Sequence, residues 1–278
     1  MPRLAELLGG PLVLDGRHRA ADDGFLLRPL DACLGVPGLP QSATGQTALF
    51  TGVNAAEYLG YHLPAFPCER LVEKINERNI HSDLHRSGLK TTFANAYRHE
   101  YFEAVASGAL QHSVTTHTCL ASGLTLRGME HYNNGRAIFW DITGEYTGKM
   151  SRSPVKKITP EYAGSVICTL SEKYDLVVFE TFLTDLIGHS RKMDEAETFC
   201  SVFDRFISTI IETMGKRTTV VITSDHGNFE DLSKKSHTFN PSLLFAYGVD
   251  APAFSEATSV TDITPAIVSV LSERRSTG

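Results

Sequence analysis

The chain has 278 residues, of which 42% are hydrophobic and 21% charged, and its formal net charge is -6 at pH 7. This composition is typical of a globular protein with one large domain, or with a core and a small appendage. The negative charge gives no basis for a nucleic-acid or anionic-membrane partner, and no apolar run is long enough to cross a bilayer.

Apolar periodicity predicts alternating helices and strands along most of the chain. Residues 70–79 have apolar side chains at helical spacing, and residues 89–97 have the composition of a strand. A buried strand is predicted at 174–181, a long amphipathic helix at 192–214 and a further strand at 218–227. Strands and helices that alternate at these lengths predict an α/β fold with a mostly parallel sheet between helical layers.

The segment 101–160 interrupts this alternation. It is polar, rich in turn residues and without a strong period. We interpret it as a small cap or insertion on a core formed by residues 1–100 and 161–278. Its basic and imidazole side chains are candidates for holding a phosphate, but most are expected to be ordinary surface groups.

Three short clusters in the C-terminal half carry the residue types of metal ligands. TDLIGHS places Asp185 and His189 four residues apart after one strand, SDHGN places Asp225 and His226 after the next, and KSHTFNP adds His237. Such groups converge because the carboxyl ends of neighbouring parallel strands share one edge of the sheet. Taken singly, each cluster is explained by a helix-surface pair, a turn or a solvated loop histidine. Together and in this order, they favour a metal site.

The donor set indicates two metal ions. Three imidazoles and two carboxylates are more than one tetrahedral ion with an open position needs, but they suit two adjacent divalent ions. Two ions stabilise both the attacking and the leaving oxygen of a displacement at phosphorus. Histidine-rich sites favour zinc or manganese, and magnesium is left open. The pattern therefore predicts phosphoryl transfer on a small phosphorylated substrate.

The stretch GLPQSATGQTALFTG offers three hydroxyl groups as a nucleophile, on Ser42, Thr44 and Thr47. Pro40 precedes a helical pattern that a glycine closes, so Ser42 is expected to be the N-cap of a helix. A helix N-terminus favours a bound phosphate, and metal coordination activates a hydroxyl. Without the metal clusters, an ordinary capped helix would explain the stretch. The absence of G-x-S-x-G argues against an esterase triad.

Four of these motifs resemble those of the alkaline phosphatase superfamily. TDLIGHS, TSDHGNFE and SHTFNP are similar to D-x-x-G-H, D-H-G-N-x-E and H-T-x-N in the metalloenzyme domain of cofactor-independent phosphoglycerate mutases. The stretch SATGQTALFTG matches S-A-x-x-x-T-A-x-x-T-G in the nucleophile segment of bacterial alkaline phosphatases, which favours Ser42. Alignment to the mutases leaves Thr44 and Thr47 open. The resemblance covers about 170–241 and 36–56, and it is weak over 101–160.

The resemblance implies an alkaline phosphatase-like fold and a two-metal enzyme that forms a phosphoserine intermediate. If water resolves the intermediate, the protein is a phosphatase; if the bound alcohol takes the phosphoryl group back, it is a phosphomutase. The sulfatase motif C/S-x-P-x-R is absent around the nucleophile stretch. The implied ligands of the first ion are Asp185, His189 and His237, and those of the second ion are Asp225, His226 and Ser42.

The superfamily's first strand normally ends in a further metal-binding Asp within D-G-x-G. The candidate here is Asp15 in PLVLDGRH, which follows a short apolar run and lies close to Ser42 in sequence. The alternative is that the first strand is missing, which would deprive the nucleophile-side ion of a carboxylate. A catalytically degenerate metal-binding protein of the same fold is therefore the second hypothesis. Asn95 and Glu180, beside strand ends, are expected to orient the metal ligands.

The cysteines and the first residues indicate the compartment. The five cysteines are dispersed without a Cys-x-x-Cys pair, which is typical of reduced thiols. The start, MPRLAELLGG, lacks the basic and apolar regions of a signal peptide. These features predict a cytoplasmic protein.

Overall fold

The computed structural model describes residues 1–7, 19–21, 24–152 and 154–277. Asp15 therefore lies outside the described residues. The strands are β1 (Arg19–Ala21), β2 (Phe25–Leu30), β3 (Thr91–Phe93), β4 (Ala96–Tyr97), β5 (Arg127–Gly128), β6 (Leu176–Val178), β7 (Thr219–Thr223) and β8 (Ser242–Gly248). The helices are α1 (Pro2–Leu7), α2 (Ser42–Thr51), α3 (Ala55–Leu59), α4 (Glu69–Glu77), α5 (Ile80–Arg86), α6 (His99–Ala106), α7 (Val114–Ala121), α8 (Met129–Asn133), α9 (Glu145–Met150), α10 (Pro160–Ser171), α11 (Leu183–Ser190), α12 (Met193–Thr213) and α13 (Ile263–Thr277). Two short 3-10 helices span Ala251–Phe254 and Val260–Asp262.

Within the described ranges, the strands form one four-stranded sheet and two parallel pairs. The larger sheet has the order β1-β2-β8-β7 with antiparallel neighbours, whereas β3–β6 and β4–β5 are parallel. The α/β class predicted from the sequence is confirmed, and the strand directions are mixed. β8 follows β7 with no helix in residues 224–241, so it returns antiparallel, because a parallel return needs a crossover.

Alternating side chains of the larger sheet build a core on each of its faces. Phe25 and Phe245 point to one face, where they pack in a cluster with residues of α10 and α12. Leu26 and Leu244 point to the other face, where they pack with residues of α2 and the two 3-10 helices. This follows from the period of two in a strand. The sheet is therefore an inner layer between helices.

The helix α12 shows how the sequence pattern selects the core. Its buried residues Phe199, Phe206, Ile207 and Ile210 recur at helical spacing and face the sheet. The helix ends one residue before Met214, close to the boundary predicted from sequence. The predicted helix at 70–79 and the predicted strands are likewise found, as α4, β3 with β4, β6 and β7.

The segment 101–160 is joined to the core at several points. β5 extends β4, and the guanidinium of Arg127 donates hydrogen bonds to the carbonyl oxygen of Phe93 and to Thr92 Oγ1. Trp140 stacks on Phe182, with ring centroids 3.9 Å apart and planes inclined by 14°. Arg127 thus fastens the segment to β3, while its third hydrogen bond goes to the carbonyl oxygen of Arg136 within the segment. None of the helices in the described ranges has the length and apolarity that a bilayer crossing requires.

Candidate active site

The first turn of α2 presents Ser42 to a histidine. Ser42 is the first helical residue, and the N-cap is Gln41, whose side chain makes no cap hydrogen bond. The N-cap position expected for Ser42 is thus wrong by one residue. The reason is that the Ser42 hydroxyl does not cap its helix but lies with Oγ 3.0 Å from His226 Nε2. As expected, Gly52 ends the helix in the left-handed conformation.

The two threonine hydroxyls in the same helix point elsewhere. Thr44 Oγ1 donates to the carbonyl oxygen of Gln41 at 3.1 Å, and Thr47 Oγ1 donates to that of Ala43 at 2.7 Å. Both side chains are fully buried, whereas Ser42 is partly exposed. Of the three hydroxyls, only that of Ser42 faces the histidine cluster.

Three of the expected ligands form a tight group. The ligand atoms of Asp185, His226 and His237 all lie within 4.8 Å of one another. His237 Nε2 is 3.4 Å from Asp185 Oδ1, and the His226 and His237 rings stack with centroids 3.8 Å apart. These residues come from α11, from the end of β7 and from the loop before β8. The structure therefore brings the three sequence clusters to one point.

The other two expected ligands lie on either side of this group. His189 Nε2 is 3.4 Å from Asp185 Oδ1, so His189 shares a carboxylate with His237. Asp225 Oδ2 is 3.5 Å from His226 Nε2 and accepts a hydrogen bond from Gln46 Nε2 at 3.2 Å. Asp225 thus lies on the side of α2.

Hydrogen bonds fix the orientation of two imidazoles. His237 Nδ1 donates to the carbonyl oxygen of Pro40 at 2.7 Å, and His189 Nδ1 donates to that of Lys235. Each bond leaves Nε2 directed toward Asp185. Such outer contacts commonly set the tautomer of a metal-binding histidine. A donor set of imidazoles and carboxylates with fixed tautomers fits divalent zinc or manganese.

The contact between Asp185 and His237 shifts the pKa of both side chains. Burial favours the neutral form of Asp185, but the hydrogen bond from His237 and the nearby imidazoles outweigh it and lower the pKa. Burial likewise opposes protonation of His237, yet Asp185 and the Pro40 carbonyl raise its pKa. The group therefore has a carboxylate available as a ligand near neutral pH.

Asn228 holds Asp185, although sequence analysis gave it no role. Its side chain is 4% exposed, and its Nδ2 donates to Asp185 Oδ1 at 2.9 Å. The Asn228 Oδ1 atom and His226 Nδ1 are buried without a hydrogen-bond partner among the described residues, which is unusual for buried polar atoms. The signal was present in the motif TSDHGNFE, where Asn228 follows the expected ligand His226 by two positions.

Glu230 is a second residue that sequence analysis passed over. Its carboxylate accepts hydrogen bonds from the backbone N–H of Asn228 at 2.6 Å, from Asn240 Nδ2 at 3.0 Å and from Thr238 Oγ1. These contacts tie the loop that carries His237 to the segment that carries His226. Glu230 is therefore a structural link between two of the expected ligands.

Two close contacts explain two glycines near the site. A Cβ atom on Gly45 would lie 2.5 Å from the carbonyl oxygen of Asp225, so α2 packs directly on the end of β7. A Cβ atom on Gly188 would lie 1.7 Å from Asn228 Oδ1. Gly45 lets the backbone of α2 approach that of Asp225, and Gly188 leaves room for the Asn228 side chain beside Asp185.

Asn95 and Glu180, which were expected to orient the metal ligands, hydrogen-bond to each other beside the strand ends. Asn95 Nδ2 donates to the carbonyl oxygen of Glu180 at 2.7 Å, and Asn95 Oδ1 accepts from the Glu180 N–H at 3.0 Å. Burial and the neighbouring charge of Asp225 raise the pKa of Glu180 to about 7. The reciprocal bonds fix the backbone that follows β6 and leads into α11.

Comparisons with known proteins agree with these motifs. The family model of the Metalloenzyme superfamily matches residues 144–272. A 2,3-bisphosphoglycerate-independent phosphoglycerate mutase of Cereibacter sphaeroides is 25% identical over 120 residues, or 40% of this chain and 24% of the mutase. The corresponding mutase of Shewanella denitrificans is 32% identical over 111 residues, or 37% of this chain and 21% of the mutase. The chain thus spans only part of these relatives' length.

A solved structure extends the likeness to nearly the whole chain. The alkaline phosphatase from the Antarctic bacterium TAB5 superposes with a TM-score of 0.54 at 14% identity, covering 96% of this chain and 94% of that one. This likeness shows the fold. The chain is thus similar to proteins of the alkaline phosphatase-like metalloenzyme superfamily, whose family model matches just under half of it. This superfamily consists of metal-dependent phosphoryl-transfer proteins, which include phosphatases and phosphomutases.

Proposed function

We propose that the protein is a two-metal phosphoryl-transfer enzyme that acts on small phosphate monoesters through a phosphoserine at Ser42. The position of the Ser42 hydroxyl carries the proposal, because it starts α2 and lies 3.0 Å from His226 Nε2. Free N–H groups and the helix dipole favour a phosphate at such a helix end. The imidazole and carboxylate group beside it supplies cation ligands.

We assign the expected ligands to two metal ions, one on the His189 side of the central group and one on the Asp225 side. Imidazole donors favour Zn²⁺ or Mn²⁺, with Mg²⁺ as the third candidate. When bound, such ions lower the pKa of a coordinated hydroxyl and neutralise charge on the transferred phosphoryl group. One ion would be held by Asp185, His189 and His237, and the other by Asp225, His226 and Ser42.

In the proposed reaction, Ser42 Oγ forms a bond to phosphorus while the bond from phosphorus to the ester oxygen breaks. The serine proton is released, and the departing alcohol takes up a proton. Transfer of the phosphoryl group to water would make the protein a phosphatase, and return to another oxygen of the alcohol would make it a phosphomutase. Similarity to the named mutases favours the second outcome, while the small size of segment 101–160 favours the first.

The nucleophile is tested by comparing wild type with Ser42→Ala. The purified chain is incubated with p-nitrophenyl phosphate and with 3-phosphoglycerate, in Zn²⁺ or Mn²⁺, and its peptides are examined by mass spectrometry. We expect one added phosphoryl group on the peptide that contains Ser42 and a loss of turnover in the variant. Thr47→Val is the matched control, because it removes a buried hydroxyl of the same helix and should keep turnover. Full turnover by Ser42→Ala would refute the assignment.

The second candidate function is a degenerate metal-binding protein of the same fold. It is favoured by the observation that, within the described ranges, only Asp185, His226 and His237 form a mutually close group. Metal content of the purified chain separates the two candidates. Two ions per chain support the enzyme, with one lost in Asp185→Asn and the other in Asp225→Asn. One ion per chain, without turnover, supports the binding protein.

A further inference from the structure

The face of α11 that carries two expected metal ligands also carries two exposed apolar side chains. These are Phe182, which is the N-cap of the helix, and Leu186. They occupy positions i and i+4, while Asp185 and His189 occupy positions i+3 and i+7, and these four positions share one face of a helix. The helix packs into the core through another side, with Ile187. Phe182 and Leu186 are thus left exposed directly beside the ligands.

Aromatic side chains of segment 101–160 extend this apolar surface. Trp140 stacks on Phe182, and Tyr146 meets Trp140 edge-on, with ring centroids 5.6 Å apart and planes inclined by 67°. Trp140 and Tyr146 are both half-buried, so part of each ring reaches the surface. We call Phe182, Leu186, Trp140 and Tyr146 the aromatic wall. The stack holds Phe182 in place before a ligand arrives, which lowers the entropy cost of binding.

The candidate site is open to solvent on the side of this wall. The side chains of His189 and Asp185 are 44% and 32% exposed, whereas that of His226 is 4% exposed. Phe182 lines the same cavity as Ser42 and Asp185. The wall therefore borders the accessible side of the ligand group, and Ser42 lies on the enclosed side, beside His226.

The proposed phosphoryl transfer determines which part of the substrate lies at the wall. In an in-line displacement the leaving oxygen is opposite the attacking oxygen. Ser42 Oγ is on the His226 side of the group, so the ester oxygen and the alcohol attached to it lie on the side of Asp185 and His189. This is the side on which the wall stands. Phe182 is three residues from Asp185, or about 4.5 Å along the helix axis, a distance that a two-carbon linker spans.

The lysines beside the wall are held in ion pairs. The Nζ atoms of Lys149 and Lys157 lie 3.5 Å and 3.4 Å from Oε1 of Glu145, which precedes the tyrosine of the wall. Lys192, which interacts electrostatically with that tyrosine, has its Nζ atom 2.6 Å from Glu195 Oε1. A substrate with a second anionic group would compete with these carboxylates, whereas an aromatic group needs only the apolar surface. The surroundings therefore favour an uncharged alcohol.

We propose that the aromatic wall binds the alcohol part of the substrate, and that the substrates are phosphate monoesters whose alcohol carries an aromatic ring. The ring of the substrate packs on the exposed parts of Phe182 and Leu186, in the offset or edge-on geometry that aromatic rings prefer. The phosphate then lies at Ser42 and the ligand group. This inference rests on the proposed function and specifies its substrate class.

The first test compares the consumption of three esters of primary alcohols, namely 2-phenylethyl phosphate, ethyl phosphate and 3-phosphoglycerate. Aryl phosphates are unsuited, because their better leaving groups raise the rate without any contact to the protein. Burial of part of the phenyl ring should make kcat/KM about tenfold higher for 2-phenylethyl phosphate than for ethyl phosphate. A kcat/KM for 3-phosphoglycerate equal to or above that for 2-phenylethyl phosphate would overturn the proposal and indicate a charged alcohol.

Two matched variants localise the preference. Phe182→Ala and Phe102→Ala each remove an exposed phenylalanine ring, but Phe102 packs with Tyr97 and Tyr101 and is not part of the wall. The ratio of kcat/KM between the phenylethyl and ethyl esters should fall to about one in Phe182→Ala and stay at about ten in Phe102→Ala. The ratio is the readout, because a general disturbance of α11 lowers both rates. An unchanged ratio in Phe182→Ala would overturn the proposal.

Binding of unreactive phosphonates separates this inference from the proposed function. In 3-phenylpropylphosphonate and propylphosphonate a CH₂ group replaces the ester oxygen, and isothermal titration measures their affinities for the zinc-loaded wild-type chain. Binding of the phenyl compound that is tighter by about tenfold, without turnover of any ester, would support the wall and refute phosphoryl transfer. Equal affinities together with turnover would overturn the wall and leave phosphoryl transfer standing. Absence of binding of both compounds would also overturn the wall.

Discussion

Gly188→Ala is expected to weaken metal binding without unfolding the protein. The new methyl group would meet Asn228 Oδ1 at 1.7 Å, so the Asn228 amide must turn away from Asp185. The backbone of α11 gains about 0.5–1 kcal/mol from replacing a helical glycine, which offsets the cost of moving one side chain. Stability of the metal-free protein should therefore change little.

The effect on metal affinity follows from the contact that is lost. Asn228 Nδ2 donates to Asp185 Oδ1 at 2.9 Å and orients this carboxylate. Removing an outer contact of this kind typically costs roughly 10–100-fold in metal affinity, which is about 1.4–2.7 kcal/mol. Isothermal titration of the metal-free protein with Zn²⁺ measures the change, and urea unfolding of the same samples reports the stability.

Two comparisons make the reasoning refutable. Gly148→Ala changes a helical glycine whose nearest neighbour would be Val155 Cβ at 3.6 Å, so its metal affinity should equal that of wild type. In an Asn228→Ala background the clash is gone, and Gly188→Ala should then add no penalty. An undiminished penalty in that background, or wild-type affinity in Gly188→Ala alone, would refute the proposed role of Asn228.

Three further predictions concern stability. Burial, together with the charge of His85, lowers the pKa of His81 from 6.5 to about 3, so only the unfolded chain takes up this proton as the pH falls below 6.5. Between pH 7 and pH 5, the free energy of unfolding of wild type, measured in urea, should therefore fall by about 2 kcal/mol more than that of His81→Gln. Equal losses would contradict this. Asn79 is fully buried and accepts hydrogen bonds from two backbone N–H groups and from Ser122 Oγ. Asn79→Ala should therefore lower the free energy of unfolding by about 1–3 kcal/mol in the same measurement. A change below 0.5 kcal/mol, roughly that of a surface substitution, would count against the buried cap. Gly52 has a φ of 72°, and a Cβ atom there would lie 3.0 Å from Pro265. Gly52→Ala should therefore lower the free energy of unfolding by about 1–2 kcal/mol. An unchanged Tm would argue against the left-handed cap.

The elements with a strong period were predictable from the sequence, and the pairing of strands was not. The apolar residues of α12 recur every three to four positions, so its existence and buried face followed from the pattern alone. The direction of β8 depends on what lies between it and β7, and the loop there gives no apolar period. Periodicity identifies an element and its buried face, but it does not identify its neighbour in the sheet.

At the candidate site, too, features that depend on motif spacing were predictable from the sequence, and contacts between distant segments were not. The motif spacing was enough to predict that Asp185, His226 and His237 come together. The position of Ser42 as first helical residue was not predicted, because the contact that displaces its hydroxyl from capping is with His226, far away in sequence. The support that Asn228 gives to Asp185 was missed for the same reason. Contacts between distant segments depend on packing, which a single motif does not encode.

The stack of Trp140 on Phe182 gives the protein an optical reporter at a useful place. Trp140 is the single tryptophan of the chain, and Phe182 directly precedes the helix that carries Asp185 and His189. Any rearrangement of segment 101–160 against that helix alters the surroundings of this indole. Fluorescence excited selectively at tryptophan therefore reports on the contact between Trp140 and Phe182 alone, and not on an average over several tryptophans. It allows the docking of this segment to be followed in solution without labels.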